Sequence, residues 1–353
     1  MRLLVTGGLG FIGSNFVRHH LGSYPGDSIV NLDLCTYAGN PANLADLAPP
    51  AAGHSAAGAV RKENGIARRY RWIRGDIADP EAVDKAMAGC DAVVHFAAES
   101  HVDRSILEPG VFLRTNVIGT QVLLDAALKH RVRRFVHVST DEVYGSVEKG
   151  LSREGDPLEP NSPYAASKAA SDLLVRSYVV TFGLPAVITR ASNNFGPFQF
   201  PEKALPLMIT NWMESRPFPL YGDGLNVRDW VYVLDHVRGI ELVLRKGRVG
   251  EAYNIGGTCS STNRELVARV RDIMGIGPEL VRPVPDRPGH DRRYALDCSK
   301  LKKLGFRHKY RFADALAKTV EWYGMHPEWW RPLKGRKGYQ GYYKKQYRTL
   351  AKS

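Results

Sequence analysis

The stretch Thr6-Gly7-Gly8-Leu9-Gly10-Phe11-Ile12-Gly13 decides the expected fold, because an apolar segment precedes it and a helical pattern follows it. Arg2–Thr6 predicts a strand and Phe11–Leu21 a helix, so the glycines occupy a strand-to-helix turn. Such a turn lets the backbone approach a pyrophosphate at the helix N-terminus. The pattern predicts a dinucleotide-binding βαβ unit, and an ordinary glycine-rich loop is the alternative.

Two acidic residues after later strands refine the cofactor. Asp33 ends the second predicted strand, Ser28–Asp33, twenty residues after Gly13. A carboxylate there accepts hydrogen bonds from both ribose hydroxyls and repels a 2′-phosphate, which favours NAD over NADP. Asp76, after the third strand, either accepts from the adenine amino group or caps the next helix.

Strands and helices alternate through the first half of the chain. Further strands are predicted at Arg71–Arg74, Ala92–Phe96, Arg134–Ser139 and Ala186–Thr189, and further helices at Pro80–Met87, Val111–His130 and Pro163–Phe182. This alternation predicts an α/β fold with a doubly wound parallel (Rossmann) sheet. We expect an NAD-binding domain over residues 1–190, with a surface insertion at 49–69. Residues 191–353 should form a smaller, mixed, mainly substrate-binding domain, with some segments returning to the sheet.

Composition restricts the class of protein. The 353 residues are 44% hydrophobic and carry 49 Lys and Arg against 36 Asp and Glu, a net charge of +13. That balance excludes disorder over most of the chain. We see no apolar run of the roughly 20 residues that a membrane span needs. Cys35, Cys90, Cys259 and Cys298 are scattered, so we expect no disulfide framework and no metal site, as in the reducing cytoplasm.

The C-terminal residues 331–353 contain eight Lys and Arg and no acid. We expect a solvated tail. The alternative is partial packing through its four tyrosines, Tyr339, Tyr342, Tyr343 and Tyr347. Aromatic and basic residues together can stack on single-stranded nucleic acid. No nucleic-acid fold signature accompanies them, so we do not expect nucleic acid as a partner.

A second motif points to redox chemistry. Ser162-Pro163-Tyr164-Ala165-Ala166-Ser167-Lys168 begins a predicted helix, where Tyr164 and Lys168 share one face. A nearby ammonium should lower the tyrosine pKa from about 10 and make Tyr164 a base for a hydroxyl proton. Ser139 and Thr140 end the preceding strand, at the sheet edge where ligands bind.

These motifs resemble the extended short-chain dehydrogenase/reductase family of nucleotide-sugar enzymes. The similarity covers nearly the whole chain except residues 49–69 and the last few. TGxxGFIG, YxxxK and Asn193–Pro197 are shared by many members. A more specific similarity, to the family's 4,6-dehydratases that act on dTDP-glucose, rests on four stretches: Tyr37–Asn40, His95–Ser105, Ser139–Gly145 and Arg287–Asp291.

The resemblance implies oxidation at C4 of the glucose unit, loss of water across C5 and C6, and hydride return to C6. Such an elimination needs both an acid and a base. By analogy Asp141 is the acid, Glu142 the base, and Thr140 binds the 4-hydroxyl beside Tyr164. Asp141 and Glu142 as ordinary solvated loop acids are the alternative. The implied catalytic residues are Thr140, Asp141, Glu142, Tyr164 and Lys168.

The resemblance also implies the binding residues. The NAD site comprises Gly7, Gly10, Phe11, Ile12, Gly13, Asp33, Thr36, Asp76, Ile77, Phe96, Ala97, Ala98, Ser100, Thr115, Tyr164 and Lys168. The nucleotide-sugar site comprises Ser100, Thr140, Asn193, Lys203, Pro219, Tyr221, Arg228, Asn263, Arg287 and His290. Pro219 and Tyr221 belong to the nucleoside-base pocket, and the cations bind the diphosphate. Ala204, where the family usually has leucine, changes one apolar base contact.

Two other functions remain open. One is another NAD-dependent nucleotide-sugar enzyme, either a 4-epimerase or a 4,6-dehydratase with a different base. The other is a non-catalytic dinucleotide sensor that binds nucleic acid. A 4-epimerase has no use for Asp141 and Glu142, so that pair discriminates.

We also expect a homodimer, because in the resembled family the long helix and the Tyr164 helix form the interface. Apolar positions on more than one face of these helices are Val122, Leu123, Leu124, Leu173, Leu174 and Val175. Burial against the sheet is the alternative.

Overall fold

The structure is a computed structural model that describes residues 1–47 and 67–347. Its strands are β1 (Arg2–Thr6), β2 (Ser28–Asp33), β3 (Tyr70–Arg74), β4 (Ala92–His95), β5 (Arg134–Thr140), β6 (Ala186–Ala191), β7 (Asn193–Phe195), β8 (Phe218–Tyr221), β9 (Val227–Tyr232), β10 (Ala252–Ile255), β11 (Cys259–Thr262) and β12 (Val281–Val284).

The helices alternate with the strands in the first half and dominate the second. They are α1 (Phe11–Ser23), α2 (Pro80–Met87), α3 (Val102–Leu107), α4 (Pro109–Phe112), α5 (Gly119–Lys129), α6 (Pro163–Phe182), α7 (Ala204–Met213), α8 (Val233–Lys246), α9 (Asn263–Met274), α10 (Ser299–Lys303), α11 (Phe312–Met325), α12 (Pro327–Gly335) and α13 (Lys337–Gln346). A π-helical segment, Leu113–Ile118, joins α4 to α5. Short 3₁₀ turns lie at Pro41–Leu44, Ala67–Arg69, Asp141–Tyr144 and Pro278–Leu280.

Seven strands form one parallel sheet in the order β10-β6-β5-β4-β1-β2-β3. β1 lies between β2 and β4, with Leu3 opposite Ile29 on one side and Ala92 on the other. The chain first builds outward from β1 to β3 and then returns to β4. This reversal leaves a crevice at the carboxyl ends of β1 and β4, which is where doubly wound sheets bind ligands. The predicted doubly wound parallel sheet is confirmed.

Helices cover both faces of the sheet, as side-chain alternation along its strands requires. Leu3 and Val5 of β1 pack in a core with residues of α1 and α8. Leu4, between them, packs in the opposite core with residues of α2, α5 and α6. β1 is therefore buried on both sides, which explains its short apolar run in the sequence, whereas the edge strand β3 is mostly exposed.

The chain after β6 forms a second layer around an aromatic core. β11, β9 and β7 make a three-stranded sheet, and β12 pairs with β8. The core residues include Phe195, Trp212, Trp230, Tyr323 and Trp330. Two segments return to the main sheet: β10 pairs in parallel with β6, and α8 packs beside α1.

The prediction of a solvated basic tail is wrong for its described part. α12 and α13 occupy most of it, and Tyr339, Tyr342 and Tyr347 are buried. The aromatic rings bury enough apolar surface to hold these helices on the body, while Lys344 and Lys345 stay exposed. The predicted insertion at 49–69 lies outside the described residues, except for the 3₁₀ turn at its end.

One helical stretch, Pro109–Lys129, is long and apolar enough to cross a membrane by length and composition, although we expected no such run. A core helix passes the same test. Leu123, Leu124 and Ala127 on this stretch are fully buried beside the sheet. Leu113 and Ile118 are about half exposed, at 54% and 49%.

Candidate functional site

The glycine-rich turn fits a dinucleotide by its geometry. Gly7 has a φ of +71°, and a Cβ there would lie 2.6 Å from the Ala97 amide nitrogen. A Cβ on Gly13 would lie 2.2 Å from the Gly7 oxygen, so the helix packs directly on the turn. α1 begins after Gly10 with no side-chain cap, which leaves its first amide groups for an anion. The backbone is therefore shaped for close approach of a diphosphate.

Asp33 lies at the end of β2 beside this turn. Its Oδ2 accepts from the Leu9 amide at 2.8 Å, and its Oδ1 accepts from the Cys35 amide at 2.7 Å. Burial raises the pKa of Asp33, while the two amide hydrogen bonds oppose that shift. A carboxylate has about four acceptor positions. Each oxygen therefore keeps capacity for one ribose hydroxyl, as the NAD prediction requires.

The helix-cap alternative for Asp76 is wrong. Asp79 caps α2, accepting from the Glu81 amide at 3.0 Å, because it is the residue directly before the helix. Asp76 instead accepts from the Ala78 amide at 2.9 Å and pairs with Arg114 at 3.2 Å. Its predicted contact with adenine stays a prediction.

A cavity of about 440 Å³ lies at the carboxyl ends of the central strands. Every residue predicted to bind NAD lines it, from Gly7 at the turn to Lys168 on α6. Thr140, Asp141, Glu142, Asn193 and Lys203 line the same cavity. The fold thus brings the predicted cofactor residues and the predicted catalytic residues into one space.

Thr140 organises the paired carboxylates. It ends β5 and caps the 3₁₀ turn Asp141–Tyr144, accepting from the Glu142 amide at 3.3 Å. Its hydroxyl donates to Asp141 Oδ1 at 3.3 Å, and Asp141 Oδ2 is buried without a hydrogen-bond partner among the residues that the structure describes. Asp141 is 3% exposed, which excludes the alternative of a solvated loop acid for this residue.

The two carboxyls differ in their surroundings. Burial, reinforced by the charges of Glu142 and Asp229, raises the pKa of Asp141 well above its usual value. Burial also raises the pKa of Glu142, but Arg287, Lys203 and Arg228 oppose that shift. Asp141 therefore holds its proton more strongly, and Glu142 ionises more readily. That order is the one an acid and a base in a single site require.

The predicted lowering of the Tyr164 pKa is contradicted for the chain by itself. Burial and the charge of Glu142 raise this pKa, and a hydrogen bond with Thr140 opposes them. The Lys168 ammonium donates to the Val138 carbonyl at 2.9 Å and lies 3.4 Å from His137 Nε2. Burial lowers the pKa of Lys168 to about 8, against the charge of Asp172.

The predicted substrate residues fall into two groups. Lys203 donates to the Ser100 carbonyl at 2.6 Å in the main cavity. Arg287 and Tyr221 line a second cavity of about 250 Å³ with Ile106, Leu107 and Gln346. Arg228 is 5% exposed and stacks on Tyr294 at 4.5 Å, and its charge influences both carboxylates.

Four predicted substrate residues line neither cavity, namely Arg228, Pro219, Asn263 and His290. Pro219 is buried within β8, and Asn263 opens α9 through a backbone bond to the Asn226 carbonyl. His290 pairs with Asp286 at 2.6 Å and lies against the Tyr221 ring, 6.2 Å between centroids.

Sequence reasoning assigned no role to Asp103, although it quoted the motif that contains it. Asp103 accepts from Tyr221 at 2.9 Å, Tyr342 at 3.0 Å and Arg287 at 3.1 Å. It joins α3, β8, α13 and the segment after β12 at one carboxylate. The tail also contacts a predicted substrate residue, because Gln346 donates to Tyr221 at 2.7 Å. The sequence gives no sign of this contact between residues 125 positions apart.

The chain is similar to nucleotide-sugar enzymes over nearly its full length. A family model described as GDP-mannose 4,6 dehydratase matches residues 4–319. A dTDP-glucose 4,6-dehydratase of Streptomyces antibioticus is 54% identical over 342 residues, which cover 95% of this chain and 96% of that protein.

Solved structures extend the similarity to the fold. A double mutant of DesIV, a dTDP-glucose 4,6-dehydratase from Streptomyces venezuelae with NAD and DAU bound, has a TM-score of 0.88 and 53% identity. The match covers 95% of this chain and 100% of that chain. A UDP-glucose 4-epimerase of Thermus thermophilus in complex with NAD has a TM-score of 0.81 and 32% identity, over 92% of this chain and 100% of that one.

Proposed function

This chain belongs to the dTDP-glucose 4,6-dehydratase family of extended short-chain dehydrogenase/reductases, and we propose from that premise that it converts dTDP-glucose into dTDP-4-keto-6-deoxyglucose. It is an NAD-dependent hydro-lyase. The observation that carries the proposal is the buried pair Asp141 and Glu142, placed in one cavity with Tyr164 and the dinucleotide turn. A 4-epimerase has no step that uses two such carboxyls.

The cofactor is NAD, and the turn around Gly7 with the Asp33 carboxylate would hold its diphosphate and ribose. When bound, NAD would supply a positively charged nicotinamide ring that accepts the hydride from C4 and later returns it to C6. Asp76, Ile77 and Arg114 line the adenine end of the cavity in this assignment.

Tyr164 and Thr140 act on the C4 hydroxyl. Both line the main cavity and share a hydrogen bond, so one sugar hydroxyl can contact both oxygens. Tyr164 removes the hydroxyl proton, and Thr140 orients the oxygen. Because burial raises the Tyr164 pKa, the phenolate needs positive charge nearby, and Lys168 supplies it from the next helical turn.

Asp141 and Glu142 carry out the elimination. Oxidation at C4 acidifies the C5 proton, which Glu142 removes as base. Asp141 gives its proton to the C6 hydroxyl, which leaves as water. The stronger upward pKa shift of Asp141 keeps that proton in place until it is needed.

The substrate diphosphate and base occupy the second layer of the fold. Lys203, Arg228 and Arg287 offer cationic donors, with Asn193, Asn263 and His290 as further polar contacts. Tyr221 lines the smaller cavity, which we assign to the nucleoside base, and Pro219 lies two residues before it on β8. Residues from 191 onward thus serve mainly the substrate, and residues 1–190 mainly the cofactor.

The protein acts as a cytoplasmic homodimer in this proposal, without a membrane or nucleic acid as partner. All four cysteines are free, as a reducing compartment requires. Of the apolar positions predicted for the interface, Val122, Leu123, Leu124 and Val175 instead pack in the core beside the sheet. Leu173 is 56% exposed and still available to a second subunit.

The test is the Glu142→Gln variant, which keeps the side-chain size and removes the base. Given dTDP-glucose, it should still develop the absorbance of reduced cofactor, because C4 oxidation precedes elimination. Product formation should fall by about 10² to 10⁴, as loss of a general base typically costs. Exchange of the C5 hydrogen with deuterated solvent should also slow.

Tyr164→Phe is the matched control, and it should slow cofactor reduction from the outset. Wild-type product formation by Glu142→Gln would contradict the dehydratase proposal and favour a 4-epimerase. Parallel incubation with UDP-, CDP- and GDP-glucose identifies the base, and the 4-keto-6-deoxy product should form fastest with dTDP-glucose.

A further inference from the structure

A third ionisable side chain follows Tyr164 and Lys168 on the same face of α6. Asp172 comes one turn after Lys168, at the same four-residue spacing, so the three side chains form a row against β5 and β6. All three are buried, and Asp172 is only 1% exposed. Burying a carboxylate costs folding free energy unless a cation or a hydrogen-bond donor pairs with it.

Asp172 makes one direct hydrogen-bonded ion pair and one longer contact with a histidine. Its Oδ2 accepts from Arg190 Nε on β6 at 2.8 Å. Its Oδ1 lies 3.4 Å from His137 Nε2, and the same nitrogen lies 3.4 Å from Lys168 Nζ. His137 Nε2 therefore lies near both the carboxylate and the ammonium, and it also lies 3.2 Å from the Ser171 hydroxyl.

His137 is a neutral spacer and not a proton relay. Burial lowers the pKa of His137 to about 4, so the ring carries one proton at neutral pH. A single Nε2 either accepts from Lys168 or donates to Asp172, but it cannot do both at once. Asp172 must then influence Lys168 through its charge, since both groups lie 3.4 Å from the same ring nitrogen.

We propose that Asp172 is a positioning residue that keeps Lys168 in its cationic form, so that Lys168 can stabilise the Tyr164 phenolate. This inference rests on the proposed function only for its consequence in catalysis. The charge relation between Asp172 and Lys168 is a property of the chain alone.

The surrounding charges make Asp172 necessary. The titratable and charged groups around Lys168 and Tyr164 are Asp172 on α6, His137 on β5, Arg190 on β6, His95 on β4, and Asp141 and Glu142 on the turn after β5. Arg190 is always charged, so without Asp172 two cations would share the buried space behind Tyr164. Burial would raise the pKa of Asp172, but nearby His137 and Arg190 lower it and hold the carboxylate ionised.

The experiment measures the protonation of Lys168 directly. Protein labelled with ¹³C at lysine Cε is titrated by NMR, and the resonance that disappears in Lys168→Arg identifies Lys168. In Asp172→Asn the Lys168 pKa should fall by about one unit, since loss of a close opposite charge shifts a pKa by that order. Asp172→Glu should restore the wild-type midpoint.

Activity supplies the second readout. The alkaline limb of the pH profile should move to lower pH in Asp172→Asn, whereas a merely structural defect would lower the rate at every pH. An unchanged Lys168 midpoint in folded Asp172→Asn would overturn the proposal. The NMR titration needs no substrate, so its failure is distinct from failure of the dehydratase assignment.

A second variant covers poor folding of Asp172→Asn, in which the buried Arg190 loses its carboxylate partner and keeps its bonds to Tyr144 and the Glu154 carbonyl. Arg190→Gln removes the cation that competes for Asp172, and the Lys168 midpoint should then rise. An unchanged or lower midpoint in Arg190→Gln would also overturn the proposal.

Discussion

Asp141 and Glu142 are adjacent in the chain, yet their carboxyls lie in different electrostatic surroundings. Asp141 faces Asp229 and keeps one oxygen without a partner in the described part of the chain, while three cations act on Glu142. Neighbouring carboxylates also oppose each other's ionisation. Burial raises the pKa of both carboxyls, and the three cations oppose that rise at Glu142. A single turn thereby holds two carboxyls in different surroundings, as the proposed acid and base roles need.

Asp33 permits a second test at this scale. Asp33→Ala removes the acceptor of the Leu9 and Cys35 amides as well as the ribose contacts. NAD affinity should fall about ten- to hundredfold, because the ribose hydroxyls lose their charged acceptor and the Leu9 and Cys35 amides that shape the site lose theirs. The preference for NAD over NADP should narrow, since the charge that repels a 2′-phosphate is gone. Calorimetric titration of stripped protein with each cofactor measures both effects.

Asp33→Asn is the matched control, because it keeps an acceptor and loses only the charge. It should retain more NAD affinity than Asp33→Ala while losing discrimination against NADP. Equal affinity of the wild type for the two cofactors would contradict the role assigned to Asp33.

At the scale of elements, the basic helix α13 packs against the rest of the protein through its tyrosines. Its Tyr342 donates to Asp103 and packs over Arg104, whose guanidinium lies 4.7 Å from the ring. Arg104 also lies 4.4 Å from the Tyr37 ring and pairs with Glu202 at 2.8 Å. The helix thus touches residues next to both cavities.

We expect Tyr339→Ala to destabilise the protein by about 3 to 5 kcal/mol, the usual cost of deleting a buried aromatic ring. Tyr339 is 5% exposed and packs against Phe200. Urea unfolding followed by tryptophan fluorescence measures the change. Lys344→Ala on the exposed face of the same helix should shift stability by less than about 0.5 kcal/mol. Equal changes in stability for the two variants would contradict the packing of α13 on the body and favour a solvated tail.

For the whole molecule, exposed apolar side chains mark the face expected to pair. On α6 the exposed fractions are 56% for Leu173, 74% for Val180 and 58% for Phe182, and Leu113 and Ile118 lie on the neighbouring stretch. Leu173 and Val180 are seven residues apart and therefore share one face of α6, and grouped exposed apolar residues typically mark an interaction site.

Light scattering at micromolar concentration should therefore give the mass of a dimer. The double variant Leu173→Glu, Val180→Glu places two charges on this one face of the helix. It should shift the measured mass toward the monomer, because a dimer would bury two carboxylates per subunit in an apolar contact. Met325→Glu, at a residue 61% exposed on α11, should leave the dimer intact. A wild-type monomer would refute the dimer.

The sequence by itself determined the sheet, the dinucleotide turn and the positions of Tyr164, Lys168, Asp141 and Glu142. These features depend on local patterns: apolar runs, glycines where the backbone must approach a ligand, and side chains four apart on a helix. The resemblance to a family then supplied their roles.

Only the tertiary structure decided which distant residues act on that local set. The partners Asp172–Arg190 and Asp103–Tyr342 lie 18 and 239 residues apart, and no local pattern joins them. The direction of the Tyr164 pKa was also misjudged from sequence, since desolvation depends on packing from every side. The basic tail was misjudged for the same reason: its charges are evident in the sequence, whereas the burial of its tyrosines arises only when α13 meets the rest of the fold.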